Sequence, residues 1–285
     1  RRPPKGLKIW QPYRGRSDQD WYRGTADALY QNRNFIRADG SETLLVLSGD
    51  HIYKQDYRDL IRFHKEKKAD LTVAVMNVKE EEVSRFGIMT VGAGQKITKF
   101  AEKPKKSDST LASMGIYVFN AKFLIEQLEE DAQNKESSHD FGKNIIPKIV
   151  EMGRAYAYPF VGYWVDVGTI QAYWETSMAL LRENPALDLY DYEWVIHTRS
   201  AERPPVKCIP PGEIVNSLTS NGCVITGSVI NSVLSPGVRV EKGATVKDSV
   251  IMNDTIIRAD AVVDCCIIDK QVEIGPGAKL GVGKN

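Results

Sequence analysis

From Val238 onward, apolar residues recur every six positions: Val238, Ala244, Val250, Ile256, Val262, Ile268, Ile274 and Leu280. An earlier run, Leu218, Val224 and Ile230, keeps the same step in a frame offset by two. A helix of 3.6 residues per turn cannot hold steps of six on one face, and a flat strand alternates every two. A hexapeptide solenoid can, because each short strand contributes one inward residue and stacked coils bury the row. The period predicts a left-handed parallel β-helix over residues 208–285.

Upstream, from about residue 7 to 183, extended apolar runs alternate with helical patterns. LLVLSGD is followed by DYRDLIRFHKEKKA, whose Leu60, Ile61 and His64 share a helical face, and then by LTVAVMNV. FGIMTV, ITKFAEKP and LASMGIYVFN read as strands; FLIEQLEED, KNIIPKIVEMG and IQAYWETSMALLREN read as helices, the last capped by Thr169. This order predicts an α/β domain, residues 1–183, with a mostly parallel, Rossmann-like sheet. Residues 184–207, with Pro185, Pro204 and Pro205, read as a connector docked through residues such as Trp194 and Ile196.

Bulk composition narrows the function. Lys plus Arg number 38 against 37 Asp plus Glu, so the net charge of +1 argues against a nucleic-acid partner. No apolar run approaches the roughly 18 residues of a membrane span, and RRPPKG is not followed by a signal-like apolar stretch. Cys208, Cys223, Cys265 and Cys266 form no C-x-x-C pair. They read as ordinary reduced thiols of a cytoplasmic protein rather than a zinc site or disulfide framework.

Ligands of open α/β sheets bind at the carboxyl ends of strands. Asp50 follows LLVL and Gly49 there, and Asp166 stands in YWVDVGT between a strand and a helix. Two such carboxylates suit a hydrated Mg²⁺ with substrate phosphates, although either alone could equally serve a turn or cap. In WYRGTADALYQN, small residues at Gly24, Thr25 and Ala26 leave room for a flat base, and Asp27 suits a first helical turn. The same stretch reads equally as a capped helix start. Lys103, in FAEKP, is placed to meet a phosphate as a point charge or to be plain surface. The basic cluster Arg1, Arg2, Lys5, Lys8, Arg14, Arg16 and Arg23 reads as a solvated face.

WYRGTADA, SGDHIYKQDY, FGIM, EKP, LASMGIYVF, HDFGKNIIP and YWVDVGT, followed by hexads, resemble ADP-glucose pyrophosphorylases (glucose-1-phosphate adenylyltransferases), the bacterial glycogen-synthesis type more than the plant type. The motifs occur in family order along nearly the whole chain. The resemblance implies formation of ADP-glucose and pyrophosphate from ATP and glucose 1-phosphate, with Mg²⁺ held by Asp50 and Asp166. It further implies Lys103 on the sugar phosphate and Tyr22, Gly87, Glu102 and Ser113 around the glucose. Gly24 and Thr25 would pack on the adenine with Ala26, Asp27 and Gly49 nearby, and Trp21 would sit on a loop near ATP. Small-molecule allosteric effectors and a homotetramer are implied as well.

Two departures qualify it. The family's Gly-rich, Arg-bearing triphosphate loop does not precede Trp21 and the chain stops just after a hexad, so the sequence reads as trimmed at both ends, with little activity of its own. Val165 stands where many members carry Arg in YWRDVGT. The alternatives are a non-catalytic regulatory subunit of the same architecture and a nucleotidyltransferase for another sugar phosphate or nucleotide.

Overall fold

The computed structural model describes residues 9–10, 21–198 and 202–281, which fall into two compact units: 1–49 with 55–162, and 50–54 with 163–285. The N-terminal basic cluster, Arg23 excepted, lies outside the described residues. Ahead of the solenoid the elements run α1 (Thr25–Gln31), α2 (Arg33–Asp39), β1 (Thr43–Leu47), β2 (His51–Tyr53), α3 (Tyr57–Glu66) and β3 (Leu71–Asn77). They continue as β4 (Gly87–Val91), β5 (Ile97–Glu102), β6 (Leu111–Asn120), α4 (Ala121–Gln133), α5 (Ile146–Glu151), β7 (Ala155–Pro159), β8 (Trp164–Asp166) and α6 (Ile170–Ala179).

In the first unit, β6 is the axis of a six-stranded sheet. It pairs antiparallel with β3 on one side and with β1 and β4 on the other, while β7 adds parallel to β3 and β5 antiparallel to β4. Four strands, β1, β3, β4 and β7, therefore share one direction and β5 and β6 oppose them. The sheet is mixed, with most strands aligned, as the α/β reading expects. Its centre is dry: Leu71, Val73, Met89 and Phe119 are fully buried, and Leu124, Leu128, Ile145 and Ile149 cover them from α4, α5 and the turn before α5. Each such side chain contributes about 1.5–3 kcal/mol of burial. HDFGKN begins not as regular helix but as a wide π-type turn over Phe141–Ile145, before Pro147 opens α5. Asp140 caps that turn, its Oδ1 accepting from the Lys143 amide at 3.0 Å.

The second unit is a parallel β-solenoid of short strands in three stacked sheets. From Ser228 onward the coil length is 17 residues: Ser228 pairs with Thr245, Val250 with Ile267 and Val262 with Lys279. Three sides of six would need eighteen. The missing residue lies at the corner of Asn231, Asp248 and Cys265, all in the left-handed backbone region. The inward row therefore runs Val240, Val246, Ile251, Ile257, Val263, Ile268, Ile274 and Leu280. Of the unbroken six-step row, Val238 and Ala244 also belong to this core and Ile268, Ile274 and Leu280 line it, whereas Val250, Ile256 and Val262 sit beside the core residues and outside the cluster. A six-residue average is preserved, but one short corner per coil shifts the frame. At that corner Asn216 Nδ2 donates to Asn231 Oδ1 at 3.0 Å and Asn231 Nδ2 to Asp248 Oδ1 at 2.5 Å. Just inside it Ser217, Ser232 and Ser249 hydroxyls accept backbone amides from the next coil, ending at Cys266.

Packing groups residues 50–54 and 163–183 with the solenoid, where the sequence boundary at 183 groups them with the sheet. Trp174 of α6 donates its indole N–H to the Asp248 carbonyl at 2.8 Å. The described part of the connector is pinned by Lys54–Asp191 at 2.6 Å and by a two-pronged Arg203–Asp254 pair at 2.6 and 2.9 Å. No helix among the described residues is long and apolar enough to cross a membrane. The coil count makes a sharp test: Ile257→Ala is expected to cost about 2–5 kcal/mol in chemical denaturation, whereas Ile256→Ala, one residue away and in the six-step row, costs clearly less.

Candidate functional site

The carboxylate pair is made by a short antiparallel ribbon. Strands β2 and β8 place His51 directly opposite Asp166, and the Val167 amide donates to the Asp50 carbonyl at 3.0 Å. Directly opposed side chains share a face, so His51 and Asp166 project together, with Trp164 on the same side two residues along. The His51 and Trp164 rings meet edge to face at 5.2 Å, and His51 Nε2 lies 3.6 Å from Asp50 Oδ1. Asp50, His51 and Asp166 each present a ligand atom within 4.8 Å of the others. A Cβ on Gly168 would stand 2.9 Å from Asp166 Oδ1 and 3.6 Å from Asp50 Oδ2, so glycine there keeps the approach to both carboxylates open. Two oxygen donors, a neighbouring imidazole and open space fit a hard divalent cation that retains water and phosphate ligands. Val165 pairs with Ile52 and, by strand alternation, faces away from Asp166.

A second cluster forms within the sheet unit around Glu102, at the end of β5. Its carboxylate fills the space beside two glycines: a Cβ on Gly142 would meet Oε2 at 2.4 Å, and one on Gly87 would meet it at 3.1 Å and the Phe100 ring at 2.5 Å. Burial raises the Glu102 pKa above the ordinary carboxylate range; Lys103 and Lys143 oppose that rise and Asp140 adds to it. Ser113, buried in β6, donates its hydroxyl to the Tyr117 oxygen at 3.2 Å. Burial pushes the Tyr117 phenol up to about 12, with Ser113 opposing and Glu102 reinforcing the shift. Lys103 is exposed and in the left-handed backbone region, its amide donating to the Phe86 carbonyl at 3.0 Å. Gly87, Glu102, Lys103 and Ser113 thus come together, joined by Tyr117, Asp140 and Gly142. Of the residues in HDFGK and SMGIYVF, only Ser113 has a role implied by the resemblance; Tyr117, Asp140 and Gly142 join it here by geometry.

The WYRGTADA segment packs against the same HDFGK loop. The face of Gly24 is occupied by the chain itself, since a Cβ would lie 2.3 Å from the His139 carbonyl oxygen. Thr25 Oγ1 donates to Asp140 Oδ2 at 3.1 Å and accepts from the Phe141 amide at 3.0 Å. Ala26 and Asp27 are buried, and Asp27 Oδ2 accepts from the Arg23 amide and the Gln31 side chain at 2.9 and 2.8 Å. Small residues here admit a backbone loop, and Asp27 closes its own helix. The Tyr22 hydroxyl accepts from Asn32 at 2.9 Å and donates to the Trp10 carbonyl at 3.2 Å, away from Glu102's partners. Trp21 is 80% exposed, and Gly49 has open space where a Cβ would project. A cavity of about 600 Å³ between α2 and the start of α4, lined by Arg37, Glu42, Asn120 and Lys122, contains none of these residues.

Residues 9–183 match the nucleotidyl transferase family model, and 204–285 match that of the GlmU-like C-terminal hexapeptide, in keeping with a left-handed β-helix. A glucose-1-phosphate adenylyltransferase of Acetivibrio thermocellus is 46% identical over 281 residues, covering 98% of this chain and 66% of that protein. Proteins of the same name from Fervidobacterium nodosum and Clostridium perfringens strain 13 are each 49% identical, over 98% and 97% of this chain and 67% and 72% of their own lengths. The chain spans about two-thirds of the length of these relatives.

The raised Glu102 pKa has a measurable sign. Below about pH 4.5 the carboxyl is protonated folded and unfolded alike; as pH rises, only the folded state resists ionisation, and stability is lost. Glu102→Gln is therefore expected to raise Tm at pH 7 and leave it nearly unchanged at pH 4, read by thermal denaturation at both values.

Proposed function

The chain belongs to the glucose-1-phosphate adenylyltransferase family of nucleotidyl transferases, and from that premise we propose that it joins ATP to α-D-glucose 1-phosphate, giving ADP-glucose and pyrophosphate for glycogen or starch synthesis. The observation that carries this reading is the meeting of Asp50 and Asp166 across the β2–β8 ribbon. Enzymes of this family generally use a divalent metal. Asp50 and Asp166 would hold it here as Mg²⁺, with His51 beside them, and when bound it would neutralise phosphate charge. In the reaction an oxygen of the sugar phosphate forms a bond to the α-phosphorus of ATP, and the bond to the bridging β-phosphate oxygen breaks. No protein nucleophile is required, so the residues act by positioning and charge.

Glu102 offers a carboxylate to sugar hydroxyls, and its burial strengthens those bonds while costing fold stability. Ser113 and Tyr117 supply a further hydroxyl pair. Lys103 supplies a point charge for the sugar phosphate, and Asp140 anchors Thr25 beside Gly24 on the nucleotide segment. Trp21, Tyr22, Ala26, Asp27 and Gly49 belong to the proposal as its nucleotide and substrate surroundings, Ala26 and Asp27 through the fold of α1. Residues 1–183 form the nucleotidyltransferase region of this reading, 184–207 the connector and 208–285 the β-helix. Regulation by small-molecule effectors and assembly as a homotetramer complete it.

Pyrophosphate release from the full-length protein with Mg²⁺ and glucose 1-phosphate, compared among ATP, UTP, GTP and dTTP, tests the proposal. ATP is expected to be preferred, and equal or greater turnover with UTP would overturn the adenylyl assignment. Asp50→Asn is expected to lower kcat by about 10²-fold or more with little change in Tm.

A further inference from the structure

The HDFGK loop turns on a buried residue whose side chain is held by Asp131. His139 is 5% exposed and holds φ at +53°, a region that a non-glycine residue adopts at a cost unless its surroundings fix it. Three bonds do so. Its ring Nδ1 lies 2.8 Å from Asp131 Oδ2, and the carboxylate, an acceptor only, assigns the proton to Nδ1. Ser137 Oγ donates to Asp131 Oδ1 at 2.6 Å and accepts the His139 amide at 2.9 Å. The Asp131 and His139 side chains are only 11% and 6% exposed, so water competes weakly for these bonds.

The consequence lies on the main chain. With the backbone held this way, the His139 carbonyl accepts from the Ala26 amide at 2.9 Å and the Asp27 amide at 3.4 Å. It also approaches Gly24 so closely that a Cβ there would lie 2.3 Å from it. The next residue, Asp140, takes the Thr25 hydroxyl on one oxygen and the Lys143 amide on the other, and its charge is felt at Glu102. One left-handed residue thus fastens the first turn of α1 to the loop that borders the Glu102 cluster.

We propose that His139, gripped by Asp131 and Ser137, is a positioning residue that holds the nucleotide-side segment Gly24–Asp27 and the sugar-side residue Asp140 in mutual register. The substrate roles rest on the function proposed above; the backbone coupling does not. Releasing the ring frees both segments together, so the affinities for both substrates fall together.

The test uses His139→Ala, His139→Asn and Asp131→Asn in the full-length protein. Asparagine tolerates the left-handed region and keeps a side-chain N–H for Asp131. His139→Ala is expected to raise KM for ATP and for glucose 1-phosphate at least tenfold, with kcat falling less than threefold. Hydrogen exchange at the Ala26 and Asp27 amides is expected to rise at least tenfold, with exchange in β3 and β6 unchanged. His139→Asn is expected to recover most of both effects, and Asp131→Asn to show both in weaker form. KM values within twofold of wild type in His139→Ala, or unaltered protection of Ala26 and Asp27, overturn the proposal even if Tm falls, since that pattern is a purely structural role. Should His139→Ala fail to fold, Asp131→Asn decides by the same two readouts. A wild-type protein that makes no ADP-glucose overturns the substrate reading, and the exchange measurement still decides the coupling.

Discussion

The pairing of β2 with β8 is the constraint on which the acidic pair depends. Asp50 and Asp166 are separated by more than a hundred residues, and a ribbon of three residues on each side makes them neighbours. Each ribbon strand is too short to be stable alone. What holds it is continuation at its end, where the Val167 amide bonds to the Asp50 carbonyl, and attachment nearby, where Lys54 is tied to Asp191 and lies 5.2 Å from the Trp194 ring centre. The connector, read from sequence as docked through Trp194, therefore buttresses the strand that follows Asp50.

Clustered carboxylates repel, and bringing them together costs energy unless something offsets it. Asp50 escapes much of the cost by exposure, its side chain being 62% accessible. Asp166 Oδ1 accepts the Gly168 amide at 2.8 Å. Glu102 follows the opposite course: it is drawn from water between two glycines, and its ionisation is opposed by that burial. The acid of the ribbon and the acid of the sheet are thus set in different surroundings. The first is accessible to solvent, and the second sits in a drier site at the expense of stability.

The legible parts of the sequence were those governed by a local period. Helix faces, strand runs, the Thr169 cap, whose hydroxyl accepts from Ala172 at 3.1 Å, and the presence of a solenoid all follow from spacing within a few residues. The solenoid's inner row was only partly legible, because a corner shortened by one residue leaves a six-residue average intact while placing Val250, Ile256 and Val262 outside the core cluster that Val238, Ala244 and Ile268 join. Strand direction was only partly legible, since β6 runs against its neighbours and no local pattern carries that sign. Within the candidate site, Asp50, Asp166 and Lys103 stood out as charged residues next to strands, while Glu102 came only with the family resemblance. Tyr117, Asp140 and His51 did not, because an aromatic in a buried strand, an acid before a helix and a histidine after an aspartate all have commoner explanations.

Gly24 shows how an absent side chain can be read two ways. From sequence, a small residue at a helix start offers room for a flat ligand; in the fold that room is filled by the His139 carbonyl. The two readings differ in what a larger residue would do. If the space were for a ligand, alanine would block binding and leave the chain folded. Because a backbone oxygen occupies it, alanine at Gly24 must push residues 138–139 away, removing the acceptor for Ala26 and Asp27 and drawing Asp140 off Thr25. Gly142 and Gly87 follow the same logic from the other side, since the atoms that fill their empty faces belong to Glu102 and Phe100 rather than to solvent. The glycines of this region are therefore the points at which β4 and the HDFGK loop close on β5, and the start of α1 closes on residues 138–139, and the candidate site takes its shape from those close contacts.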